Sequence, residues 1–98
     1  MGVYAQTNFA ITCTDNKTAK RVAKILRTQG DVESGNMYGR DIKTIGNDVF
    51  GFADSGRIQN LEFQCRAIWD AVQNLDGVLE GNFPFLSEAD GLYFERDN

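Results

Sequence analysis

Ninety-eight residues, 42% of them hydrophobic, with one proline and a net charge of −4, suit one domain with a modest core. The chain has no histidine, which excludes Ser-His and Cys-His nucleophile activation and removes the commonest general base and metal ligand. No apolar run approaches the ~20 residues of a membrane span and Met1–Gln6 has no basic n-region, so a soluble, intracellular, cytoplasmic protein without membrane contact is expected.

From Gln6 to Cys13, the residues Phe9, Ile11 and Cys13 alternate with Ala10 and Thr12, the two-residue period of a strand with one buried face. Thr14 or Asp15 then caps a helix over Asn16–Gln29, where Ala19, Val22, Ala23 and Leu26 recur at helical spacing, and Gly30 supplies a stop. Opposite that apolar stripe, Lys17, Lys20, Arg21, Lys24 and Arg27 fill an arc of about 120°. Asp15 is the sole acidic residue among the first thirty, whereas residues 31–98 carry thirteen acidic side chains against five basic ones. The basic stripe is therefore a candidate contact for phosphates or for an acidic protein surface, set against the plainer reading of a solvated helix face. Lys17 and Lys20 stand in the first helical turn, where the macrodipole disfavours cations.

After a glycine-dotted loop, Asp31–Gly39, two strands are predicted at Arg40–Ile45 and Val49–Asp54, joined by the turn-forming Gly46-Asn47-Asp48. Within the second of them Phe50 and Phe52 share a face and Gly51 leaves the other bare; they are core aromatics if their face is helix-covered and a stacking platform if it is open. Leu61, Cys65, Ile68, Val72 and Leu75, widened by Trp69, give a second amphipathic helix that Asp76-Gly77 ends. Val78–Phe85 reads as a strand in which Pro84 marks an edge or bulge, and Asp90-Gly91 turns into a last strand, Leu92–Arg96. The order is that of an α+β, ferredoxin-like split βαβ fold with an extra C-terminal hairpin strand, its two helices on one face of an antiparallel sheet and residues 1–98 in a single domain.

Cys13 and Cys65 are 52 residues apart and form no Cys-x-x-Cys pair, too few ligands for zinc; buried reduced thiols are expected, with a bridge left open by the spacing. Neither common phosphate-cradling glycine loop occurs, and no stretch has the ligand spacing of a calcium loop, so no metal or cofactor is expected. The carboxylates at predicted turns and strand ends, Asp48, Asp54, Glu88 and Asp90, are the candidates for acid-base work, against a default of solvated turn residues. Phe63 falls on the polar side of the second helix among Gln59, Glu62, Arg66 and Asp70. Either the C-terminal aromatics Phe83, Phe85 and Phe94 fold over it, or Phe63 with Arg66 forms the aromatic-plus-arginine pairing enriched at protein interfaces.

Phe50-Gly51-Phe52-Ala53 resembles the middle of the third-strand signature of the RNA-recognition-motif family. Gly30-Asp31-Val32-Glu33-Ser34 and Leu75-Asp76-Gly77 are similar to segments that follow the two helices there. The resemblance implies single-stranded RNA stacked on Phe50 and Phe52, with Phe9 as the first-strand partner. Asp48-Val49 stands where that signature has a basic residue and glycine, Ser55 replaces its last aromatic, and the net negative charge opposes phosphate binding. The function expected is a small non-enzymatic protein-binding module, an acidic inhibitor or regulator of a nucleic-acid-handling protein whose groove it occupies by mimicking phosphate charge. Single-stranded RNA binding is the alternative and a carboxylate-dependent enzyme the third; an edge strand also offers a route to a homodimer.

Overall fold

A computed structural model describes residues 5–29, 40–86 and 90–96. The predicted stop at Gly30, the loop Asp31–Gly39, the family-like segment within it and Glu88 lie outside the described residues. Strand β1 (Ala5–Cys13) leads into helix α1 (Asn16–Gln29), followed by strands β2 (Arg40–Ile45) and β3 (Asp48–Ser55), helix α2 (Ile58–Val72) and strands β4 (Val78–Phe83) and β5 (Leu92–Glu95). The strands form one five-stranded sheet in the order β2-β3-β1-β4-β5, with every neighbouring pair antiparallel. Both helices pack on the sheet and on each other.

Strict alternation organises β1. Ala5, Thr7, Phe9, Ile11 and Cys13 are buried beneath the helices, while the residues between them are half-buried or exposed. In α1 the buried positions are Ala19, Val22, Ala23 and Leu26, and in α2 they are Leu61, Cys65, Ile68, Trp69 and Val72, so each helix turns one apolar stripe onto the sheet. Aromatic contacts tie β1, β4, β5 and α2 together: Phe9 stacks on Phe83 at 5.1 Å between ring centroids, Trp69 on Phe94 at 5.6 Å, and Phe94 meets Phe83 edge-on at 5.7 Å.

The ends of α1 are fixed by particular hydrogen bonds. Asp15 is its cap: Thr18 donates its backbone N–H to Asp15 Oδ1 at 2.8 Å, a bond that holds the carboxyl below its usual range. Gly46 (φ 62°) and Asn47 form the β2–β3 turn, leaving Asp48 as the first residue of β3, and Asn16 donates its amide to the Gly46 carbonyl. Gly77 (φ 96°) follows α2, and a side chain there would meet the Thr18 hydroxyl at 2.7 Å. Near the other end of α1, the exposed Arg27 donates to the Ile42 carbonyl at 2.8 Å.

Several boundaries differ from the periodicity: β1 begins at Ala5 rather than Gln6, and β3 runs Asp48–Ser55 rather than Val49–Asp54. Helix α2 stops at Val72 rather than reaching Leu75, because Leu75 N–H bonds to the Val72 carbonyl and Val78 N–H to the Leu75 carbonyl, closing a turn. Strand β4 ends at Phe83 rather than Phe85: Pro84 brings no N–H to a ladder, and pairing resumes only as an isolated bridge between Phe85 and Thr7. Strand β5 ends at Glu95, one residue before Arg96. Cys13 and Cys65 are both free and buried.

Candidate functional site

The face of the sheet away from the helices is built by strand alternation. In β3, Val49, Gly51 and Ala53 are buried on the helix side. Phe50 and Phe52 therefore project from the opposite face, Phe50 with 37% of its surface exposed. Sequence alone left their direction open; Gly51 explains it. A Cβ at Gly51 would lie 2.8 Å from Phe9 Cε2 and 2.7 Å from Ile42 Cδ1, so the Phe9 ring fills the space a side chain would need. Phe9 itself is buried on the helix side, so it is no first-strand partner for the two phenylalanines.

Cross-strand register then assembles rows from distant parts of the chain. Glu95 pairs with Glu80, Glu80 with Thr12, Thr12 with Asp48, and Asp48 with Ile45, one line across all five strands. At about 4.8 Å per strand, three carboxylates lie along roughly 14 Å. The next row runs Tyr93, Asn82, Ala10, Phe50 and Lys43. Beyond it Phe52 lies beside Asn8, and Asp54 beside Gln6. An acidic row thus borders an aromatic one.

Tyr93 ties the two rows together. Its hydroxyl contacts Glu80 Oε2 and lies 3.1 Å from Glu95 Oε1, and the hydrogen bond to Glu80 leads the causes that push the phenol above its usual range. Like charges directly opposed on neighbouring strands repel, and the phenol is the donor that the Glu80–Glu95 pair shares. At the β2 side, a depression of about 390 Å³ is lined by residues including Asn8, Asp41, Lys43, Ile45, Phe50 and Phe52. Ile45, 62% exposed, adds apolar surface at its rim. Among the described side chains of this face, the carboxylates Asp41, Asp48, Asp54, Glu80 and Glu95 face a single basic one, Lys43.

The remaining sequence candidates lie elsewhere. Lys17, Lys20, Arg21, Lys24 and Arg27 are all exposed on α1, away from the open sheet face, and Arg27 is engaged with β2. Phe63 is 78% exposed on α2, so the described C-terminal aromatics do not cover it; Phe83 and Phe85 are buried in the core and Phe94 lies on Trp69. The Arg66 guanidinium sits 5.8 Å from the Phe94 ring centroid, a cation–π contact. Asp48 and Asp54 stand at opposite ends of β3, about 20 Å apart along the strand, so these two acid-base candidates do not converge; Asp90 precedes β5.

Among the described residues no group of three or more His, Cys, Asp or Glu side chains is placed to hold a metal ion, and no helix is long and apolar enough to cross a membrane. Burial pushes the Cys65 thiol up to about 12, with Glu62 adding to the effect, and the Cys13 thiol up to about 11, with Asp48 and Asp15 adding. Both stay protonated near neutral pH and are poor nucleophiles. No protein-family model matches the chain, and comparisons with curated proteins and with solved structures give no match.

Proposed function

We propose that this chain is a non-enzymatic, intracellular protein-binding module of ferredoxin-like plan that docks a basic protein surface on its open sheet face. The observation that carries the reading is the pairing of an aromatic row, Phe50 to Tyr93, with the acidic row Asp48, Glu80 and Glu95. Exposed aromatic rings supply the apolar anchor of an interface, and the flanking carboxylates select and steer a cationic partner. The order β-α-β-β-α-β with β2-β3-β1-β4 as neighbours supports the split βαβ plan, β5 being an appended hairpin strand. Two unbridged thiols suit a reducing compartment.

The nature of the partner follows from charge. A face with five carboxylates and one lysine among its described side chains repels phosphate, so the aromatic platform serves a basic protein rather than RNA. A nucleic-acid-handling protein, with a groove of lysine and arginine built for phosphates, is the partner class whose charge fits best, and the acidic row would occupy that groove as a phosphate mimic.

Fluorescence anisotropy tests this with a labelled peptide of alternating lysine and leucine and, in parallel, a mixed-sequence single-stranded RNA. The proposal expects saturable peptide binding that weakens as salt rises from about 50 to 300 mM. Phe50→Ala should weaken it about tenfold or more, as loss of a central aromatic anchor does, and Glu80→Gln less. RNA binding that is lost in Phe50→Ala would replace the proposal with the RNA reading. Failure of both probes at about 100 μM, or peptide binding indifferent to Phe50, would refute it.

A further inference from the structure

The charged side of α1 is a second surface that the fold leaves unpaired. Lys17, Lys20, Arg21, Lys24 and Arg27 are exposed along it, and the helix has no acidic residue. The rest of the chain carries all fourteen acidic side chains against five basic ones. Among the described residues, the side chains of Lys20, Arg21 and Lys24 enter no hydrogen bond or ion pair. Lys17 and Lys20 also stand in the first turn, where no acidic residue offsets the macrodipole. The positive charge of α1 is thus balanced neither by its own helix nor by its neighbours.

The complementary charge lies on the far side of the same molecule. The apolar stripe of α1 faces the sheet, so its cations point away from it, while Asp48, Glu80 and Glu95 lie in a row on the opposite, open face. One copy cannot bring the two surfaces together, but two copies can. Their lengths agree. At 1.5 Å per residue, Lys17, Lys20, Lys24 and Arg27 spread over about 15 Å of helix, and the three carboxylates span roughly 14 Å across β3, β1, β4 and β5. A helix laid along that row sets Lys24, the centre of the basic arc, over it, with Lys20 to one side and Arg21 to the other. On one side the next row, about 7 Å away, offers the Phe50 and Tyr93 rings to a methylene stem. A long polyphosphate would run past the helix onto the acidic remainder of the chain, whereas the acidic row ends where the basic arc ends. Charges act over only about 10 Å at 0.1 M salt, so the apposed rows outweigh the net −4 of each copy.

We infer that α1 of one copy occupies the open sheet face of the next, a head-to-tail contact that a basic partner must displace and that therefore regulates access to that face. This rests on the reading that the open face receives a basic surface. Two different surfaces meet, so each contact leaves one free end of each kind and further copies add to it.

Sedimentation equilibrium of the full chain up to about 500 μM, at about 50 and 300 mM salt, tests the inference. The expected result is association that proceeds beyond a dimer and weakens as salt rises. Lys20→Gln with Lys24→Gln should weaken it about tenfold or more, and so should Glu80→Gln with Glu95→Gln. The first double variant keeps its sheet face and the second keeps its α1, so mixing them should restore a 1:1 pair that grows no further. None of the four side chains is buried, and circular dichroism reports whether each variant is folded. A wild type that stays monomeric at both salts overturns the inference. So does association indifferent to the lysines, which would point to pairing of edge strands β2 or β5, and association lost in the lysine variant but kept when Glu80 and Glu95 are neutralised. A monomeric wild type that binds mixed-sequence single-stranded RNA through Lys20 and Lys24 overturns it too, naming a polyphosphate as the occupant of α1. The alternating lysine and leucine peptide separates this inference from the reading beneath it. In excess the peptide should dissolve the association; peptide binding by a wild type that never associates removes the second copy alone, whereas absence of both removes the docking face as well.

Discussion

Replacing Gly51 by alanine probes the feature that aims Phe50 and Phe52 at solvent. The new methyl would lie 2.8 Å from Phe9 Cε2 and 2.7 Å from Ile42 Cδ1, well inside contact distance. Phe9 is 1% exposed and stacked on Phe83, so its ring has no empty space to move into. Overpacking of this kind costs about 1–3 kcal/mol, and alanine returns about 0.5–1 kcal/mol by reducing the entropy of the unfolded chain. Contacts this short place the overpacking cost in the upper part of that range, about 2–3 kcal/mol, so the net loss is about 1–2.5 kcal/mol, a fall in Tm of roughly 5–20 °C for a domain of this size. Urea unfolding followed by Trp69, the single tryptophan and itself buried, reads the effect directly. Shortening Phe9 to leucine in the same chain should recover part of the loss, and a double-mutant cycle measures that coupling. A Gly51→Ala protein within about 0.5 kcal/mol of wild type would refute the reasoning, and with it the placement of Phe50 and Phe52 on the open face.

Three further outcomes follow from titrating groups. The Asp15 carboxyl is held below its ordinary value of 3.8 in the folded chain, chiefly by the Thr18 N–H, so it stabilises the fold above that value and the contribution disappears as pH falls through the lower folded pKa. Asp15→Ala should therefore lower Tm at pH 7, and the gap should close in strong acid. The buried thiols run the other way: unfolded cysteines ionise near 9.0 while folded Cys13 and Cys65 hold their protons to about 11 and about 12, so stability should fall as pH rises above about 9. A Cys13→Ala, Cys65→Ala variant measured by urea unfolding at pH 7 and pH 10 should lose most of that slope. Tyr93 should ionise above the ordinary phenol range in an ultraviolet titration, because its proton is held by Glu80 and Glu95; Glu80→Gln should bring it down toward that range.

Local pattern made the helices and β1 legible, because periodicity alone states which side chains must leave water. Ala19, Val22, Ala23 and Leu26 could share one face only if 16–29 were helical, and the Phe9, Ile11, Cys13 alternation fits only a strand. The end of α2 was misread at Leu75 because an apolar residue at helical spacing also suits the turn that closes it. The end of β4 was misread at Phe85 because alternation continues past Pro84 while ladder pairing does not.

The candidate site was only half written in the chain. Sequence determined that Phe50 and Phe52 share a face, that Phe63 lies opposite the apolar stripe of α2, and that the basic residues of α1 gather on one side, since each of these is a matter of phase within a single element. Tertiary structure decided which face of β3 is covered. Hydrophobicity would bury two phenylalanines before a glycine and an alanine, yet the Phe9 ring and the helices leave room on that side only for Val49, Gly51 and Ala53. It also decided that Asp48, Glu80 and Glu95 form one row, because register is set by strand pairing between segments from 15 to 68 residues apart, and no local pattern encodes which residues will meet across a sheet.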